Sequence, residues 1–123
     1  MTLELPEREV DFDASRLCVR TVSADDWRAS LELSGEIDLD TVRHLDAELA
    51  RHFAAGRRVI RLDATALTFL DSTALGVILD ASERCRTDHG SLILAHVPPH
   101  MRRLIDLTGL DTLLLIDTAA DAS

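Results

Sequence analysis

Two hydrophobic periods meet at Asp71-Ser72, and no other point in the chain limits the fold as much. Upstream, Val59-Ile60-Arg61-Leu62-Asp63 is β-branched and alternating, the pattern of a strand. Downstream, Leu75, Ile78, Leu79 and Ser82 recur at helical spacing. A strand that runs through a short loop into a helix is half of a crossover unit, and repeated units of that kind build a parallel sheet. Asp71 and Ser72 fall where the loop becomes helix. Their short oxygen-bearing side chains can accept from the first helical amides, which have no partner inside the helix. Taken alone, an Asp-Ser pair in that place is an N-cap and nothing more.

The alternation of elements extends both ways from this point. Residues 17–22 are rich in strand formers. Ser23-Ala24-Asp25-Asp26 is a turn by composition. Residues 27–34 alternate again, with Trp27, Ala29, Leu31 and Leu33 on one face, so the two runs predict an antiparallel hairpin with Trp27 in the core. A helix follows, capped by Asp40 or Thr41. Its stripe is Val42, Leu45, Leu49 and Phe53, and Gly56 ends it. Residues 57–63 read as a strand, 64–70 as a loop, 72–87 as a helix and 91–97 as a strand. Pro98-Pro99 opens a third helix striped by Met101, Leu104, Ile105 and Thr108 and ended by Gly109. Residues 111–117 are a last short strand or a helical turn. The expected fold is a single α/β domain with a small, mostly parallel sheet, crossover helices and an N-terminal hairpin. Residues 1–15 read as a flexible acidic leader with a short edge strand over 10–12, residues 16–117 as the domain and 118–123 as a frayed tail. The expected core is Leu45, Leu49, Ile60, Leu62, Val77, Ile78, Leu92, Leu94 and Leu104.

Composition narrows the function classes. A chain of 123 residues matches one domain of about 100–150 residues. The net charge of −9 argues against nucleic acid and against anionic membrane surfaces, since both need clustered cations. No apolar run approaches the ~20 residues that span a bilayer, and residues 1–10 lack the apolar segment of an export signal. The cytoplasm is the expected location. Cys18 and Cys85 make neither a disulfide framework nor a zinc site and read as small buried apolar groups. His44 and His52 flank the first helix's stripe and read as solvated. His96 and His100 are split by Pro98-Pro99, so they share no helical face and no metal is expected.

Three segments together point to a family. Phe69-Leu70-Asp71-Ser72-Thr73-Ala74-Leu75-Gly76-Val77 resembles the phosphorylation loop of the STAS-domain anti-sigma factor antagonists. Leu33-Ser34-Gly35-Glu36-Ile37-Asp38 resembles that family's Gly-Glu-(Ile/Leu)-Asp signature. Arg103-Leu104-Ile105-Asp106-Leu107-Thr108-Gly109-Leu110 resembles its last helix and turn. The resemblance runs from about Leu17 to Ile116. It implies that Ser72 is the phosphoacceptor and that Asp38, Asp71, Thr73, Ala74, Leu75 and Gly76 bind the partner or support the switch. It further implies an anti-sigma factor of the histidine-kinase-like ATPase type as partner, a serine phosphatase that resets the switch, no bound cofactor and no enzymatic activity of the chain's own. The family usually carries glycine where this chain has Ala74, so a methyl there is expected to narrow the approach to Ser72.

Three other chemistries use the same residues. The alternative within the fold is a STAS module for assembly, or for sensing a small ligand or nucleotide, without a phospho-switch. Asp38-Leu39-Asp40-Thr41-Val42 resembles the nucleophile motif of haloacid dehalogenase-like phosphatases, in which the first aspartate attacks phosphorus. That chemistry relies on a lysine, and the chain has none. A serine hydrolase elbow needs Gly-x-Ser-x-Gly, and the flanks of Ser72 are Leu70 and Ala74.

Overall fold

A computed structural model describes residues 16–118. The chain builds β1 (Leu17–Ala24), β2 (Arg28–Ile37), α1 (Val42–Ala54), β3 (Val59–Leu70), α2 (Ser72–Thr87), β4 (Ser91–Val97), α3 (Pro99–Thr108) and β5 (Leu115–Thr118). A 3-10 turn at Leu110–Thr112 precedes β5. The five strands form one sheet in sequence order, β1-β2-β3-β4-β5. β1 pairs antiparallel with β2, and β2 through β5 run parallel. The hairpin, the crossovers and the mostly parallel sheet are as the two periodicities predict. The leader and most of the tail lie outside the described residues.

Sequential parallel neighbours joined by right-handed crossovers carry all their helices on one face. Burial follows that rule. Leu31, Leu33, Ile60, Leu62, Leu92 and Leu94 are fully buried on the helix side and meet Leu45 and Leu49 of α1 and Ile78 of α2. The intervening residues Arg20 and Glu32 are exposed on the other face, where they pair at 2.5 Å. Gly35 makes the β1–β2 contact possible. Its φ is +101°, and a Cβ there would sit 2.0 Å from the Arg16 carbonyl oxygen. Gly109 ends α3 at φ +78° in the left-handed region.

Several expectations are corrected. Residues 64–70 are not a loop but the second half of β3, because Ser34 to Ile37 continue to pair with Ala66 to Leu70 across two register shifts. Trp27 is 42% exposed. It precedes β2, where its carbonyl accepts from Arg58 and Val59, and the indole lies beyond the end of the core. Leu104 is 51% exposed, since α3 buries only the row of Met101 and Ile105. Val77 is half-buried at the core's edge. Cys18 is exposed on β1, whereas Cys85 is buried. His52 is buried rather than solvated: its Nε2 lies 2.9 Å from Thr21 Oγ1 and its Nδ1 3.0 Å from Arg57 Nη1. His44 is half-buried, with a sequestered Nε2.

Candidate switch site

The carboxyl ends of parallel strands gather loops at one edge of a sheet, and here the β2–α1 and β3–α2 loops meet. Ile37 is the register partner of Leu70, and the Asp71 amide donates to the Ile37 carbonyl at 3.2 Å. Asp38 and Asp71 are thus successors of neighbouring strand ends.

Asp71 is the N-cap of α2. Its backbone is extended, at φ −111° and ψ −177°, and its Oδ1 accepts from the Ala74 amide at 3.0 Å. The capping acceptor therefore comes from Asp71 and not from Ser72. Ser72 is the first helical residue and is exposed. Its neighbourhood is the positive end of a 16-residue helix with no acid in the first turn, where an added anion finds oriented amides. Thr73 is half-buried, Leu75 is buried and Gly76 is exposed. Ala74 is fully buried, so its methyl faces the core. That Cβ does not reach the surface beside Ser72.

Asp38 has a different task. Its Oδ1 accepts from the amides of Asp40 at 2.9 Å and Thr41 at 3.1 Å, and lies 3.2 Å from the Thr41 hydroxyl. Its Oδ2 is held by the Arg16 guanidinium. Asp38 thereby closes the loop before α1, while Thr41 holds the expected N-cap position without a hydrogen bond from its side chain to a helical amide. Thr41 is fully buried, with its hydroxyl donated to the Glu36 carbonyl at 2.7 Å. Burial pushes the Asp38 carboxyl up, but the Thr41 and Asp40 amides and Arg16 together outweigh it and hold the group below the usual aspartate range. A carboxylate with its lone pairs so fully engaged is a poor nucleophile for the phosphatase chemistry considered above. Neither Asp38 nor Asp71 holds a hydrogen bond to the Ser72 hydroxyl among the described residues.

Arg16 escapes a reading by local pattern. It reaches Glu36 at 3.3 Å, Asp38, and Asp40 at 3.6 Å. Nothing near Arg16 in sequence announces this, because the contact depends on Leu17 pairing with Gly35. Leu39 and Phe69, both exposed, frame the same edge. The sequence signal for Leu39 is a large apolar residue set inside an Asp-x-Asp-Thr turn.

Comparison with known proteins agrees with this architecture. The family model described as "Mlab, STAS domain" matches residues 21–116. An anti-sigma-B factor antagonist of Listeria monocytogenes is 31% identical over 84 residues, spanning 68% of this chain and 74% of that protein. The crystal structure of an anti-sigma factor antagonist from Mycobacterium paratuberculosis aligns with a TM-score of 0.72 at 27% identity, over 86% of this chain and 90% of that one. The Bacillus cell fate determinant SpoIIAA in its phosphorylated form shares the fold, with a TM-score of 0.64 at 23% identity over 85% of this chain and 96% of that one. Family model, curated relative and solved structure agree on one group: the chain belongs to the STAS-domain family of anti-sigma factor antagonists.

Proposed function

We propose that this chain binds an anti-sigma factor and is switched off by phosphorylation of Ser72. The partner is a histidine-kinase-like ATPase that carries ATP and magnesium and transfers phosphate to the Ser72 hydroxyl. A serine phosphatase removes it. The chain is itself no enzyme and works in the cytoplasm. The observation that carries the reading is the separation of two tasks at adjacent residues. Asp71 supplies the cap through Oδ1, which leaves the exposed Ser72 hydroxyl with no structural duty. SpoIIAA, which has the same fold, exists in a phosphorylated form.

Phosphoserine brings about −1.5 to −2 charges at neutral pH. The helix start favours that charge by about 0.3–1 kcal/mol, and repulsion from Asp71 opposes it by a similar amount at an exposed site. The fold therefore tolerates the modification. An interface fitted to a neutral hydroxyl does not, because the dianion must be desolvated at a cost of several kcal/mol unless new cations meet it. The reading of the chain as a ligand-sensing or assembly module drew its sequence support from Ala74, and that methyl is buried.

Intact mass after incubation with ATP, magnesium and each purified histidine-kinase-like anti-sigma factor of the source genome tests the proposal. One added phosphate, absent from Ser72→Ala, is expected. Robust labelling of Ser72→Ala moves the site elsewhere.

A further inference from the structure

Two large apolar side chains stand in water at the strand ends that carry Ser72. Leu39 is 73% exposed and Phe69 48% exposed. Leu39 occupies the turn between β2 and α1, where small or polar residues suit the backbone best. The turn is pinned around it by the Asp38 carboxylate, which accepts from the amides of Asp40 and Thr41. The leucine adds nothing to the core, yet its backbone has little freedom to fold it away. Phe69 is the cross-strand neighbour of Glu36. It precedes Leu70, which is buried, so strand alternation turns the phenyl ring away from the helices.

Single exposed apolar residues are ordinary on protein surfaces. These two differ in their surroundings. Glu36, Asp38, Asp40 and Asp71 border the same edge, and the Arg16 guanidinium is already engaged with three of those carboxylates. Two exposed apolar residues thus share one strand-end edge with four carboxylates. Its complement is a partner surface with an apolar socket rimmed by cations. Leu107 and Leu113 are equally exposed, but α3 runs back from the carboxyl end of β4 and puts them toward the opposite end of the sheet.

We propose that Leu39 and Phe69 are the apolar anchors of the partner interface, and that the facing surface of the anti-sigma factor is an apolar socket with an Arg- or Lys-rich rim. The inference rests on the reading of the chain as an antagonist but not on modification of Ser72.

The test uses the full chain and the same purified panel of histidine-kinase-like anti-sigma factors, with ADP present so that no phosphate is transferred. Leu39→Ser and Phe69→Ser are each expected to raise Kd at least tenfold. Leu107→Ser and Leu113→Ser, of matched exposure, are expected to stay within twofold. All four should melt within a few degrees of the parent, because none sits in the core. Association of the parent should slow as salt rises from about 0.05 to 0.5 M, where screening shortens to a few ångströms. Anchor variants that bind within twofold of the parent, while Ser72 is phosphorylated normally, overturn the inference and leave the switch standing. Binding that is lost in the anchor variants, with Ser72 never phosphorylated, supports the inference and removes the switch. A parent chain that binds no member of the panel overturns both, and salt-independent association overturns the cationic rim.

Discussion

Asp71 and Ser72 are adjacent but answer to different physics, and substitutions can separate them. Asp71 holds the Ala74 amide, and removing an N-cap acceptor costs about 0.5–2 kcal/mol. Asp71→Ala should therefore lower Tm by roughly 4–8 °C per kcal/mol lost in a domain of this size. Asp71→Asn, an equivalent cap without charge, should melt close to the parent. Differential scanning calorimetry on the pair separates capping from electrostatics. Gly35 is a stricter case. Its φ of +101° already disfavours a side chain, and the carbonyl oxygen 2.0 Å from an added Cβ cannot move without breaking the β1–β2 register. Gly35→Ala should lose more than the ~1–3 kcal/mol of left-handed strain alone. A denaturant midpoint close to the parent's would show that β1 can shift. Cysteine chemistry reads out the same local facts. Burial pushes the Cys85 thiol up to about 11, while Cys18 is exposed on the sheet's free face. One alkyl adduct per native chain, on Cys18, is the mass-spectrometric expectation, and a second should need unfolding.

At the scale of elements, α1 is tied to the sheet's edge strand by a polar chain as well as by leucines. Arg57 donates to His52 Nδ1, and the His52 Nε2–H donates to Thr21 Oγ1. The Thr21 hydroxyl in turn reaches Glu48 Oε2 at 3.3 Å. This arrangement requires a neutral ring. Burial, then the nearby Arg51 and Arg57, depress the His52 pKa below its ordinary value, against the smaller upward pull of Glu48. The unfolded chain therefore takes up a proton near pH 6.5 that the folded chain resists. The stability from this group is complete above that pH and falls as pH drops below it toward the lower folded value. Urea midpoints between about pH 7.5 and 5 should decline, and more steeply than in His52→Gln. A flat profile for the parent would mean that the imidazole protonates without breaking the chain. None of this was legible in sequence, where His52 is only a residue beside an apolar stripe. The burial of that face depends on Thr21 arriving from β1. The long β3 was equally hidden. Ala64 to Leu70 lack a clean alternation, and only pairing with Ser34 to Ile37 holds them extended. What alternation and helical spacing could reveal, they did: Leu31, Leu33, Leu45, Leu49, Ile60, Leu62, Leu92 and Leu94 are all buried. They failed at Trp27 and Leu104, where the period continues past the point at which another element covers it.

For the molecule as a whole, the fold sets apart two jobs. The apolar layer between sheet and helices supplies stability, and in the proposed reading the strand-end edge supplies recognition. The strand–helix switch placed Ser72 at a helix start, where the structure has it exposed, but only the resemblance to the STAS antagonists singled it out from an ordinary cap. The clamp of Arg16 on the Asp38 loop was not visible from the sequence, because it joins residues 22 apart in the chain. A switch at such an edge should act on binding while leaving the core untouched. Calorimetric titration of the anti-sigma factor with Ser72→Ala and Ser72→Glu, beside thermal melts of both, asks for that separation most directly. Ser72→Ala should bind as tightly as the unmodified chain, and Ser72→Glu at least about tenfold more weakly, a loss of roughly 1.4 kcal/mol or more, with melting temperatures only a few degrees apart. Equal affinities for the two variants, or a Ser72→Glu chain that unfolds, would contradict the account.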